Sequence, residues 1–316
     1  MSYKQLQIIQ NFDKMNKEEI EPTSQNIHEN IFEEDLSILV EDLVNFYFKE
    51  INEGKDKNER KQHILDYINE HNVKLQEISN WLLNNQNDSS SIYLLGYFNF
   101  HGIGVDVDKQ NAFELYKKAV GMENNAAQFD LANMYMDGVD IDKNHDKSFE
   151  LSNKLAKNEY PGGINLLGYC YDMGIGTDVN TLKAFELYKK AANLGNSHGI
   201  NNLGCCYEGG IGTEINKQKA FELYEKVVNL GHKSGMNNLG CCYDNGIGTE
   251  VNKQKAFELY QMAANLGNDV AQYNLALMYE NGDGITEDLN KAIYWYKKSA
   301  KQGYLGAQNK LELLIE

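Results

Sequence analysis

Apolar and polar positions alternate along most of this chain in one recurring unit. From Gly199 to Glu208, the residues Ile200, Leu203, Cys206 and Tyr207 stand at helical spacing, which predicts a helix. Gly209-Gly210-Ile211-Gly212 then stops it, because glycine readily takes the left-handed conformation a helix end needs. Asn216 is placed to cap a second helix over 217–230 that buries Ala220, Leu223, Tyr224 and Val227 and ends at Gly231. The same sentence recurs without insertion. Leu95, Leu131, Leu167, Leu203, Leu239, Leu275 and Leu311 stand 36 residues apart, as do Ala112, Ser148, Ala184, Ala220, Ala256 and Ala292. A fixed period of this length means stacked helix-turn-helix units, not a closed globule. In this register Leu203, Tyr207, Leu239 and Tyr243 are predicted to be buried between helices, with Gly204 and Ala220 letting backbones approach.

Ahead of the repeats, Leu36, Leu39, Val40, Leu43, Val44, Tyr47, Phe48 and Ile51 form one apolar stripe, which predicts a helix over 31–51. Two shorter helices are expected over 58–70 and 73–83, then a polar linker over 84–91. Leu305 to Ile315 is a lone first-type helix with a polar surface. Three parts result: a flexible acidic segment, 1–30; an N-terminal helical segment, 31–90; and a solenoid, 91–316, of about six repeats plus a C-terminal capping helix. The helical segment either covers the open end of the stack, since terminal units need protection, or docks a partner.

The last unit carries the pattern most completely: Ala271, Leu275, Ala276, Tyr279, Gly282, Gly284, Asp288, Ala292, Trp295, Ala300 and Gly303. This pattern resembles the Sel1-like repeat, a relative of the tetratricopeptide repeat. The resemblance implies an all-α fold, a right-handed α-solenoid that serves as a non-catalytic scaffold or adaptor and binds a peptide or partner domain on its concave face. Asp140 in place of a loop glycine, Glu123 and Glu159 in place of inter-repeat glycines, and Ser148 in place of alanine depart from it, so altered curvature is expected there. Helices running into such repeats are similar to arrangements in fungal Sel1-repeat proteins that also carry a kinase-like domain. No Gly-rich loop, H-R-D or D-F-G motif occurs here. A regulatory subunit of a kinase or chitin synthase, docking through the N-terminal helices, is the alternative role.

Charge narrows the partner class. The formal charge is −16, and Arg60 is the single arginine. Nucleic acid and anionic membrane surfaces are disfavoured by sign, and nucleic acid also by the lack of bidentate phosphate readers. No apolar run is long enough for a transmembrane helix, and Met1 to Ile20 lacks a secretory apolar core, so a cytosolic protein is expected. Cys170, Cys205, Cys206, Cys241 and Cys242 all fall on first helices, where equivalent positions are too far apart to pair, so reduced thiols are expected. No cofactor, metal site or catalytic set is expected. Asp140 to Asp146 imitates a calcium loop, but His145 and Leu151 stand where glycine and glutamate are required.

Where a partner would lie follows from the register. With Leu203 and Tyr207 turned inward, His198, Asn202, Cys205 and Gly209 form the outward stripe of one first helix. Equivalent stripes hold Asn238 and Cys241, then Asn274 and Leu277; upstream they hold Asp130, Asn133 and Asp137, then Leu166, Tyr169 and Met173. Asn202, Asn238 and Asn274 thus form an amide ladder suited to a peptide backbone. Tyr169 and Leu277 at its ends and the acidic Asp130–Asp137 region would favour a ligand with Lys or Arg. Repeated asparagine could instead bond neighbouring helices. His198 and His232 are expected in solvent.

Overall fold

The computed structural model describes the backbone of residues 25–139 and 141–315, and side chains within 35–314. Sixteen α-helices make up the described fold, with no strand among the described residues. Three precede the repeats: α1 (Gln25–Glu53), α2 (Lys57–Glu70) and α3 (Leu75–Asn84). The first helices of the units are α4 (Ser89–His101), α6 (Asn125–Asp137), α8 (Pro161–Met173), α10 (Ser197–Gly209), α12 (Lys233–Asn245) and α14 (Asp269–Asn281). The second helices are α5 (Lys109–Gly121), α7 (His145–Lys157), α9 (Thr181–Asn193), α11 (Lys217–Val228), α13 (Lys253–Asn265) and α15 (Leu289–Lys301); α16 (Leu305–Ile315) ends the stack. Residues 25–30 belong to α1, so the segment expected to be flexible is helical there; residues 1–24 lie outside the described part. Ser89–Ser91 likewise opens α4 rather than closing a linker, because the Asp88 carboxylate accepts from the Ser90 and Ser91 amides.

Local signals set each unit. The Asn216 side chain accepts from the Lys219 amide at 3.0 Å and caps α11; Asp108, Asn144, Asn180, Asn252 and Asp288 do the same for their helices. Gly210 closes α10 at φ 71°, a conformation costly for residues with a Cβ. Glu123 and Glu159, which replace glycine, keep the same left-handed turn at φ 63° and 61°. The turn is therefore retained with local strain.

Tyrosines of the second helices fill the space between the two helices of a unit. Tyr116, Tyr188, Tyr224, Tyr260 and Tyr296 are fully buried and stand at one repeat position. A Cβ on Gly204 would come within 2.6 Å of the Tyr224 ring, which is why that position is small. In the second unit Ser152 takes the tyrosine's place and Ala132 that of the glycine. Leu203 and Leu239 are buried as predicted, but Tyr207 and Tyr243 are only half-buried. Those two rings sit at the seam between units, edge-on to Phe185 and Phe221 at 5.4 Å, with Lys219 and Lys255 over their faces.

The N-terminal helices divide their work. Helix α3 stands where a second helix would precede the first unit. A Cβ on Gly104 would lie 2.9 Å from the Leu75 carbonyl oxygen, as one on Gly212 would lie 2.1 Å from that of Thr181. Helix α3 thus covers the open end. Helices α1 and α2 do not: they lie across the face built by the first helices, against α4, α6 and α8.

Candidate functional site

Helix α1 occupies the upstream part of the first-helix face. Tyr47 donates to Asp130 on α6 at 3.2 Å, and Tyr93 on α4 donates to the same carboxylate at 2.8 Å. Phe48 packs edge-on to Tyr160, 4.8 Å between centroids. At the end of α1 the backbone carbonyls of Ile51 and Asn52 accept from the Asn196 amide side chain at 3.3 and 3.0 Å, and that of Gly54 from the Ser197 hydroxyl at 2.6 Å. The Gly162 N–H donates to the Asn52 side chain at 3.1 Å. A helix C-terminus, with its partial negative charge, is so met by the N-terminal ends of α8 and α10. Gly162 permits the approach, since a Cβ there would lie 2.9 Å from the Ile51 carbonyl oxygen. Asp56, which caps α2, pairs with Lys233 at the start of α12 at 2.9 Å.

Helix α2 places Arg60 under this lid. The residue is 7% exposed; its guanidinium donates to the Lys55 carbonyl at 3.0 Å and lies over the rings of Tyr47 and Phe129, at 5.1 and 5.7 Å. Burial opposes its charge, but the guanidinium stays protonated beside the Asp130 carboxylate. Burial also raises the Asp130 pKa, with Arg60 pulling against it. A cavity of about 330 Å³ lies between α1–α2 and the first helices, lined by both residues. Asp130, expected on the open stripe, is therefore engaged within the chain; Asp137 at the end of α6 is exposed.

The remaining expected residues are not all free. Asn202 donates to Asn165 at 3.1 Å, Asn238 to Asn201 at 3.0 Å and Asn274 to Asn237 at 3.0 Å. The ladder thus ties each first helix to the one before it. Cys205 accepts from Tyr224 and Asn238, and Cys241 from Tyr260 and Asn274; both thiols are half-buried and free. Tyr169 and Met173 are exposed and Leu277 is half-buried, but Leu166 is buried against Met136 and Cys170. His198 and His232 are not in solvent: they meet each other at 2.8 Å beside the α1–α2 turn. Burial lowers their pKa values to about 4 and about 3, so both rings are neutral near pH 7.

One set of residues escaped the stripe assignment. Asp172, Glu208, Asp244 and Glu280 stand 36 residues apart on α8, α10, α12 and α14, all half-buried. Tyr188 donates to Asp172 at 3.4 Å and Tyr224 to Glu208 at 2.8 Å, while Lys253 and Lys310 pair with Asp244 and Glu280. The first two units hold Phe100 and Met136 at this position. The 36-residue period alone would have found the set. Among the described residues no group of three or more His, Cys, Asp or Glu gathers as a metal site, and no helix is long and apolar enough to cross a membrane.

Stacked helix pairs of fixed period, closed at both ends by single helices, define an α-solenoid. The family model described as Sel1 repeat matches residues 89–122, 125–160, 161–196, 197–232, 233–268 and 269–304, and the chain belongs to that family. Among solved structures it is similar to a Sel1 repeat protein from Oxalobacter formigenes, 26% identical over 73% of this chain and 93% of that one, TM-score 0.64. It is also similar to c5321, a protective antigen of uropathogenic Escherichia coli strains displaying an SLR fold, 28% identical over 86% of this chain, TM-score 0.55. That match spans 59% of the antigen's length. No curated protein matches the chain.

Proposed function

We propose that the protein is a non-catalytic interaction scaffold that seats a peptide or partner segment on the concave, first-helix face of units three to six. Sel1 repeats act generally as protein-interaction scaffolds, and the observation that carries the reading further is the division of that face. Helices α1 and α2 lie across it from the first unit to the N-terminal ends of α8, α10 and α12. Downstream, Tyr169, Met173 and Leu277 stand beside Asp172, Glu208, Asp244 and Glu280. Apolar anchors beside an acidic stripe suit a partner with Lys or Arg. A reducing, cytosolic setting suits the five free thiols. A role as an enzyme's regulatory subunit docking through the N-terminal helices is not favoured, because α1 and α2 use their apolar side on the solenoid itself.

The test is site-specific crosslinking in the full-length chain. A photoreactive phenylalanine analogue at Tyr169 or Leu277 should capture a partner in cells of the source organism. The same analogue at Leu182 or Leu230, exposed on or just after second helices, should not. Capture from Leu182 and Leu230 alone would reject the first-helix face.

A further inference from the structure

The cavity beneath α1–α2 holds an unmet demand. Arg60 is more than nine-tenths buried, and its Nε has no hydrogen-bond partner. One guanidinium nitrogen is used by the Lys55 carbonyl. The nearby Asp130 carboxylate accepts from Tyr47 and Tyr93 instead. A buried polar group without a partner is unfavourable, and a charged one more so. The side chain is nevertheless held in place by the flanking rings of Tyr47 and Phe129.

We propose that this cavity is a binding site for a small organic carboxylate with an aromatic body, recognised by Arg60 and Lys57. The volume of about 330 Å³ matches the lower range of ligand pockets, roughly 300–1,000 Å³. Guanidinium and carboxylate are matched in geometry, two donors to two acceptors. Lys57 stands at the rim, its ammonium 4.5 Å from the centroid of the Phe100 ring, and supplies a second positive charge. His101 and His198 line the same space but are neutral near pH 7, burial lowering them to about 3 and about 4. Asp130 and Asp137 also line it, so a multiply charged anion such as phosphate is repelled where a single carboxylate is tolerated. The rings of Tyr47, Phe100 and Phe129 give the ligand's body apolar walls.

The experiment is calorimetric titration of the full-length protein with benzoate, acetate, inorganic phosphate and benzylamine. Benzoate should bind saturably at one site per chain, acetate more weakly, and phosphate and benzylamine not at all. Arg60→Met, which keeps the apolar stem and removes the donors, should weaken benzoate about tenfold or more, as loss of a charged hydrogen-bond pair does. Lys57→Gln, a substitution at an exposed position, should weaken it a few-fold. No saturable benzoate binding, which is the result if the cavity holds water only, overturns the proposal. So does phosphate binding as well as benzoate, or a folded Arg60→Met that binds unchanged. If Arg60→Met does not fold by circular dichroism, Lys57→Gln decides: an unchanged affinity overturns the site.

Discussion

Tyr224 under Gly204 shows how one side chain can set what another position tolerates. The ring is fully buried, and a Cβ on Gly204 would stand 2.6 Å from it. Gly204→Ala should lower the free energy of unfolding by about 1–3 kcal/mol, the range for overpacking a filled core. Gly121 is the control. It ends α5 with nothing within 4 Å of an added Cβ and without a positive φ, so Gly121→Ala should stabilise by roughly 0.4–1 kcal/mol through the unfolded chain. Urea midpoints read both, and a neutral Gly204→Ala would mean that the ring moves freely. Residues of this kind were legible in the sequence, because the same environment recurs every unit and a period exposes it. Tyr207 and Tyr243 were misjudged for the converse reason. Helical spacing gives direction around a helix but not whether the neighbouring unit covers the whole ring, and here a lysine completes the cover.

At the scale of an element, α12 starts with an unusual cap. His232 accepts from the Gly235 amide through Nδ1 at 3.1 Å, so Nε2 carries the proton and donates to Nδ1 of His198 at 2.8 Å. Asn124, Asn196 and Asn268 cap the equivalent first helices. Burial above all, with His198 adding to it and Asp56 opposing, lowers the His232 pKa to about 3 from an ordinary 6.5. The unfolded chain therefore takes up the proton first as pH falls. Stability tied to this ring is intact above about pH 6.5 and drains away as pH falls toward 3. Protonation also removes the acceptor that caps the helix. His232→Asn should leave the thermal midpoint near pH 8 almost unchanged and fall less steeply than the wild type between pH 6.5 and 4. Parallel acid slopes would show that this cap does not titrate with folding. Helices α1 to α3 were legible as helices from their apolar stripes. Their placement was not, since an amphipathic stripe does not say whether it seats on the end of a stack or across its face. The contacts that decide it, Asn52 to Gly162 and Gly54 to Ser197, join residues more than a hundred positions apart and fall outside any repeat.

Across the whole molecule two kinds of stability coexist. Each unit of the solenoid touches mainly its neighbours, so disturbance travels only a short way along the stack. Helices α1 and α2 break that rule, because they bridge from α4 to the start of α12. Tyr47 is the main bolt of this bridge. It is 2% exposed, contacts the rings of Tyr93 and Tyr97, carries the guanidinium of Arg60 on its face and donates to Asp130. Tyr47→Ala should cost about 3–5 kcal/mol locally, as other aromatic truncations in cores do, and should leave Asp130 and Arg60 less well matched. Hydrogen exchange followed by mass spectrometry separates local from global effects. Exchange should quicken over 35–70 and over α4, α6 and α8, which α1 covers. Helices α13 to α16 lie beyond the α12 end of the bridge and should keep wild-type protection. Uniform acceleration from α4 to α16 would instead mean that the stack unfolds as one body and that α1 and α2 are part of its core. Unchanged exchange over 35–70 would mean that the α1 carbonyls held by Asn196 and Ser197, with the Asp56–Lys233 pair, suffice to keep the bridge closed.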